Sequence, residues 1–423
     1  MYIRTSEGLG RLPTSYLYDS SINGVGEYVL GQVAPWAASI DPFPAKPTVT
    51  FQVSDERMKK AFAPVTVSTA MPVGTALVDL TGNPAMPPYA GVYDEEMIFA
   101  GSLPKICVMY AAFALRSRVQ AFVDAAAANG APLVPPGITA EIEKAWKPKL
   151  RALFPTRPAT SFGNGQDVTF PKLDQILTFS PDGKVDFKRA TPPLTDAQID
   201  TIGEFGTPRG NFHEWMRSML RWSNNTAASK CILALGYFYL NGALARAGLF
   251  NAATNKGLWL AADFKSHDWV KTETERQANA AGQLLTPRWA TAQRRRRSNI
   301  TATAAQVARF MTLLARDKLV DATASHASPN EEMRALMKAD AGGLGSDAND
   351  ALRRVGRAPS LVIAKFGLGN DDFRHECAII ERAVAGKDLR YVAVGLGYSP
   401  KRRRQNWFDL FVLLDEVIVT RNK

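Results

Sequence analysis

Cysteine and histidine are scarce in this chain. The three cysteines, Cys107, Cys231 and Cys377, lie far apart, each inside an apolar run. They suit neither a disulfide framework nor a zinc site, and buried structural thiols are the expectation. The four histidines, His213, His267, His326 and His375, are scattered with no H-x-x-H or HExxH pair, so no metal and no cofactor is expected. No stretch of the sequence approaches the roughly 18 consecutive apolar residues of a membrane span. Met1–Gly8 lacks the basic start, apolar middle and small-residue cleavage site of a secretion signal. With Met1 as the native start the expected compartment is the cytoplasm; with an export signal already removed it is the periplasm or the exterior.

What is present is the composition of a soluble globular protein, 46% hydrophobic and 22% charged over 423 residues, long enough to bury a large core in two lobes. The net charge of +11 gives a positive surface potential. Arg294-Arg295-Arg296-Arg297 and Lys401-Arg402-Arg403-Arg404 are its densest patches. Aromatic residues are not interleaved with them, and no helix-turn-helix or zinc motif accompanies them. They read as solvated loops rather than a nucleic-acid footprint.

Residues 1 to about 65 are rich in Gly, Pro and Ser with short β-like pieces such as Glu27–Leu30, and read as an N-terminal extension. Ala76–Asn83 is a strand ending in a turn. Helices are expected from about 102 to 130, and again from Phe212 to Leu249 with Ser223 between two helical runs. The stretch from 132 to 208 is a proline-rich insertion with one short helix, Ala140–Leu150, and a β-turn at Phe179–Lys184. Residues 250–298 show no strong period. Thr303 is expected to cap an amphipathic helix running to about Leu319. From 360 onward strands follow one another without helices between them, which argues for antiparallel pairing. A last apolar helix covers Trp407–Val419. The expected domain is therefore residues 66–423. Its sheet lobe comes from about 66–101 and 300–423, and an all-helical lobe from about 102–299.

Within that frame, Ser102-Leu103-Pro104-Lys105 places a hydroxyl and an amine three residues apart, ahead of the apolar run Ile106–Leu115. Residues at i and i+3 share a helical face. A serine hydroxyl becomes a nucleophile near neutral pH only when a neighbouring base takes its proton, and a lysine desolvated at the root of a buried helix can serve. Two further segments follow in order: Trp222-Ser223-Asn224-Asn225, and the strand-like Leu361–Leu368 carrying Lys365 ahead of Gly367 and Gly369.

Serine and lysine on a buried helix, then S-x-N, then a lysine and glycine on a strand, resembles the penicillin-recognising serine hydrolases, the superfamily of serine β-lactamases and penicillin-binding D,D-peptidases. Asp94–Gly101 looks like that family's approach to its nucleophile, and Ile300–Met311 like a helix the family begins with a threonine cap. The resemblance spans about residues 70–420 with large interruptions. It implies an α+β, β-lactamase/transpeptidase-like fold: an antiparallel sheet flanked by helices, plus an all-helical lobe.

It also implies roles. Ser102 attacks an amide or ester carbonyl, Lys105 takes its proton, Ser223 relays a proton to the leaving group, and the Asn225 amide binds the acyl side chain. Lys365 supplies positive charge, and the backbone N–H groups of Ser102 and Leu368 form an oxyanion hole beside Gly367. Each residue also has a plainer reading: Ser102, Ser223 and Asn225 as helix caps, Lys105 as a snorkelling lysine, Lys365 as an edge-strand lysine.

Two departures stand out. Phe366 occupies the position where the family carries a hydroxyl that grips a substrate carboxylate. No E-x-x-L-N loop lies between Asn225 and Thr301; Glu273 and Glu275 are the glutamates there, in the wrong context. The sequence thus supports a serine hydrolase of esterase or peptidase type acting on a small or peptide-like acyl substrate. The alternative is a catalytically silent relative that binds a ligand or partner in the cleft.

Overall fold

The computed structural model describes residues 2–5, 8–11, 33–68, 74–131, 133, 135–153, 170–251, 254, 256–260, 264, 300–338, 345–368, 373–398 and 404–423. Glu27–Leu30, Gly369, Glu273, Glu275, Arg294–Arg297 and Lys401–Arg403 lie outside these. The architecture is α+β, built on a five-stranded antiparallel sheet. Its strands are β1 (Gly74–Asp79), β2 (Tyr89–Val92), β3 (Leu361–Leu368), β4 (Arg374–Val384) and β5 (Lys387–Tyr398), in spatial order β3-β4-β5-β1-β2. The end of the chain thus hydrogen-bonds to its beginning, with Val392 opposite Val78 and Val394 opposite Ala76.

Both faces of this sheet are covered, which is why its strands read as nearly continuous apolar runs. Ala76, Val78, Cys377, Ile379, Val392 and Val394 point into one core. Their neighbours Leu77, Ala378, Ile380, Tyr391 and Ala393 point into a second core on the opposite face, as strand alternation requires. The second core is closed by α1 (Glu56–Ser68) and the C-terminal helix Arg404–Arg421, through Met58, Phe62 and Val65 from one and Trp407, Phe411 and Leu414 from the other. The segment expected as an N-terminal extension thus contributes core residues before position 65.

The first core is centred on α2 (Lys105–Ala128), buried on nearly every side. Around it pack α3 (Phe212–Arg221), α4 (Asn225–Leu235), α5 (Tyr237–Arg246) and α6 (Ala304–Ala315). By length and composition alone α2 would pass for a membrane span, with a mean hydropathy of 1.3 over its best window. Yet 89% of that window is buried within the protein, where helix and sheet neighbours take the place of lipid. The three cysteines are free and buried.

Other boundaries moved for local reasons. The helix expected at Ala140–Leu150 covers Gly137–Leu153, with Pro148 inside it. α6 has Thr303 as its cap, the hydroxyl accepting from the Gln306 N–H at 3.3 Å. It stops at Ala315, short of Leu319, because Asp317 takes a left-handed φ of 56° and Lys318 N–H turns back to the Leu313 carbonyl. The turn expected at Phe179–Lys184 joins the hairpin Leu177–Phe179 and Val185–Phe187, which Gln120 of α2 holds through Val185 N–H and Gly183 O.

α7 (Asp347–Arg354) and α8 (Arg404–Arg421) complete the sheet's outer layer. Asp415 of α8 is fully buried, yet it accepts two bonds from Arg382 at 2.6 and 2.7 Å and one from the Tyr391 hydroxyl at 2.9 Å. Removing one partner of such a pair strands the other charge in the core. Asp415→Ala is expected to cost about 3–5 kcal/mol in chemical denaturation; a loss below about 1 kcal/mol would show that Arg382 is satisfied without it.

Candidate active site

Three stretches from distant parts of the chain meet at the N-terminal end of α2. Gly101, at φ 53°, turns the chain out of the short strand Ile98–Phe99. That strand is pinned to Ile300–Ala302, with Thr301 opposite Phe99, and Ala305 N–H reaches back to the Asp94 carbonyl at 2.9 Å. The next residues close as tight turns, Leu103 N–H to Ala100 O and Lys105 N–H to Ser102 O, before α2 begins. Ser102 does not cap this helix; Pro104 holds the cap position with no side-chain bond. The Ser102 hydroxyl instead lies 2.9 Å from the Lys105 amine.

Lys105 is fully buried. Besides Ser102, its Nζ touches the Asn225 side-chain oxygen at 2.7 Å, the Ser223 hydroxyl at 3.2 Å and the Ser223 carbonyl. Burial and, second, the neighbouring Lys365 push its pKa well below the ordinary lysine value, against a smaller opposing pull from Glu204. A neutral amine has two hydrogens and one lone pair. The Asn225 oxygen and the Ser223 carbonyl can only accept, so they take the two hydrogens. The lone pair is left for a hydroxyl, and Ser102 is the nearer one.

The second stretch is the turn between α3 and α4. Ser223 sits there at a left-handed φ of 56°, costly for a non-glycine residue. Asn224, not Ser223 or Asn225, caps α4: its side-chain oxygen accepts from Ala227 N–H at 2.8 Å, while its amide donates to the carbonyls of Gly203 and Gly206. With capping done by Asn224, Ser223 and Asn225 are both free to face Lys105.

The third stretch is β3, where Lys365 shares its strand face with Ile363 and so points toward α2. It is buried and donates to the Ser223 hydroxyl at 2.9 Å and the Phe366 carbonyl at 3.0 Å. The four side chains therefore form a chain of contacts, Ser102 to Lys105 to Ser223 to Lys365. Burial lowers the Lys365 pKa to about 8, although Cys377, Glu204 and Glu376 pull the other way. Lys365 thus remains the charged lysine at neutral pH.

Gly367 explains how closely β3 approaches the serine. A Cβ there would lie 2.5 Å from the Ala100 carbonyl, 2.7 Å from Leu103 N and 3.0 Å from Ser102 N, so any side chain would push the strand away. Leu368, next along, is half-exposed at the strand end. The Phe366 ring stays beside the site, its centroid 4.6 Å from the Lys365 ammonium. Two residues were missed in the sequence. Phe264 places its ring 4.8 Å from Lys105 Nζ, and Glu204 acts electrostatically on both lysines. Neither belongs to a motif; fold alone brings them there. Among the described residues no group of His, Cys, Asp and Glu could hold a metal ion.

No family model matches the chain, and no curated protein matches it. Among solved structures it is similar to a class A β-lactamase from Mycobacterium abscessus, at 13% identity and a TM-score of 0.43, covering 87% of this chain and 100% of that one. It is similar as well to PBP-A, at 12% identity and a TM-score of 0.44, covering 88% and 97%. A β-lactamase from Sphaerobacter thermophilus DSM 20745 matches at 13% identity and a TM-score of 0.41, covering 85% and 94%.

The buried lysines have a thermodynamic signature. In the unfolded chain Lys365 returns to about 10.5, so between about 8 and 10.5 the unfolded state binds the extra proton and stability from this group rises with pH. Compared with Lys365→Met, wild type is expected to gain about 1.4 kcal/mol per pH unit across that window. Denaturation of both proteins at pH 7.5 and 10 measures it; a constant difference would place the amine in water.

Proposed function

We propose that this protein is a serine acyl-transfer hydrolase, related to the penicillin-recognising enzymes and acting on an amide or ester carbonyl. The observation that carries the reading is the Lys105 amine, fully buried, 2.9 Å from Ser102 Oγ, with acceptors for both of its hydrogens. An amine so held is a base, and its nearest hydroxyl is a nucleophile.

In the proposed reaction Ser102 Oγ bonds to the carbonyl carbon while its proton passes to Lys105. The carbonyl oxygen becomes an oxyanion that accepts from the N–H groups of Ser102 and Leu368; the close approach of Gly367, next to Leu368, to Ser102 N supports this. Collapse of this intermediate breaks the bond to the leaving group. The leaving atom takes a proton through the Ser223 hydroxyl, which the two lysines flank. Water then releases the acyl group and restores Ser102.

The test is intact-protein mass spectrometry after exposure to a fluorophosphonate and to a penicillin. A single adduct on Ser102, absent in Ser102→Ala and strongly reduced in Lys105→Ala, is expected. Absence of any adduct from pH 5 to 10 would overturn the reading in favour of a silent ligand-binding cleft. Since no E-x-x-L-N loop follows Asn225, a penicilloyl adduct should persist; steady turnover near the ordinary enzymatic rate of about 10 per second would contradict this.

Phe366 bears on the substrate. A ring in place of a hydroxyl leaves a substrate carboxylate one hydrogen bond short, an effect of about 1–3 kcal/mol. Neutral short esters should therefore acylate Ser102 faster than carboxylate-bearing β-lactams, and Phe366→Thr should narrow the gap by roughly tenfold or more. If penicillin is already the faster reagent and Phe366→Thr changes nothing, the ring does not face the substrate.

A further inference from the structure

We propose that the groove between α1 and α8 binds a free single-chain anionic amphiphile, of the class of medium-chain carboxylates. Both helices cover the sheet face opposite the one that carries Lys365, so this site shares no residue with the cleft. It does not depend on the hydrolase reading.

The two helices run antiparallel along the groove. Arg421, in the last turn of α8, pairs with Asp55, just ahead of α1, at 3.1 Å. Arg57, Ala61 and Val65 recur every fourth residue of α1 and so share one face. Leu413, Val417 and Arg421 do the same on α8. All six line an open cavity of about 530 Å³, a volume ordinary for a small-molecule site. From Arg57 to Val65 the helix rises about 12 Å, roughly the length of an eight- to ten-carbon chain. The walls expose far less than the roughly 800 Å² that each side of a stable protein interface buries. A small occupant fits and a protein partner does not.

The groove changes character along its length. Toward Leu413 it is apolar: Val65 and Val417 are buried at its base, Ala61 and Leu413 are half-buried, and the Pro64 ring is exposed beside them. Glu416 is on the rim, its carboxylate paired with Arg357 at 2.9 Å. At the other end Arg57 and Lys60 are exposed, and among the described residues neither has an acidic partner. Their acidic neighbours are already met. Glu56 pairs with Lys59, and Arg421 is held between Asp55 and Asp79. The second of those aspartates is offset by Lys387, whose amine donates to the carbonyl of the adjacent Asn422. Lys423, the final residue, brings a carboxylate with its amine and leaves the sum unchanged. The surplus is the pair Arg57 and Lys60. A carboxylate head gains from these two cations while its tail takes the apolar wall out of water. An ammonium head is repelled by the same pair, and an uncharged chain gains the wall alone.

The test titrates the intact protein with octanoate, octanol and octylammonium, all below micelle formation, by calorimetry and methyl NMR. Octanoate should shift the Val65 and Val417 methyl signals and bind about tenfold or more tightly than octylammonium. Each methylene added from butanoate to octanoate should tighten binding about two- to fourfold. The double variant Arg57→Gln, Lys60→Gln, both exposed positions, should weaken octanoate about fivefold or more and leave octanol within about twofold. No binding of octanoate, equal affinity for octanoate and octylammonium, or binding that leaves Val65 and Val417 unmoved would each overturn the proposal. Attachment to phosphatidylglycerol vesicles without binding of monomeric octanoate would assign the face to a membrane. Self-association that the double variant abolishes, again without octanoate binding, would assign it to a second copy. Either result overturns the proposal. Ser102→Ala should bind octanoate as wild type does, so failure of the hydrolase reading and failure of this one are distinguishable.

Discussion

The arrangement depends on burying one amine. Taking Lys105 out of water makes its ammonium form costly, and the protein surrounds the amine with four oxygens. Its location follows from that requirement: a lysine at the first turn of a helix enclosed on nearly every side cannot reach solvent by extending its chain. The second lysine adds to the effect, since a positive Lys365 disfavours a second positive charge nearby. Burial thus lowers the pKa of both lysines in one cleft, and that of Lys105 is lowered further by the positive charge of Lys365.

The rest of the fold makes this burial possible. The sheet joins the two ends of the chain and sets Lys365 on the face that looks toward α2. Gly367 lets the strand lie against the Ser102 turn. Asn224 relieves its neighbours of the capping role, and the left-handed Ser223 turns its hydroxyl between the lysines. The strain at Ser223 is consistent with a residue held by its surroundings rather than by local preference. The outer core, with its Asp415–Arg382 pair, stabilises the sheet from the side away from the cleft.

Much of this was legible in the sequence because it is written locally. The Ser102–Lys105 spacing, the order of the three segments, the Thr303 cap and the tight succession of late strands each depend on a few adjacent residues. What was missed depends on distant contacts. Glu204 lies in a stretch that reads only as a proline-rich insertion, and nothing nearby in sequence connects it to Lys365. Phe264 is one of several aromatics in an aperiodic segment, with nothing local to single it out. Among three polar residues in a row, the capping role fell to Asn224, a choice decided by where Gly203 and Gly206 lie. The apolar composition of α2 belongs to a core helix, because a helix surrounded by protein obeys the same hydropathy as one surrounded by lipid.

The central claim is that Lys105 is an uncharged base at neutral pH. The most direct measurement is the ¹⁵N chemical shift of its Nζ, followed through a pH titration and assigned with Lys105→Arg. The proposed mechanism predicts a neutral-amine signal at pH 7; burial and the neighbouring Lys365 push the group in that direction, well below the ordinary lysine value of 10.5. A charged ammonium that persists until about pH 10 would contradict it, and would leave Ser102 without a base.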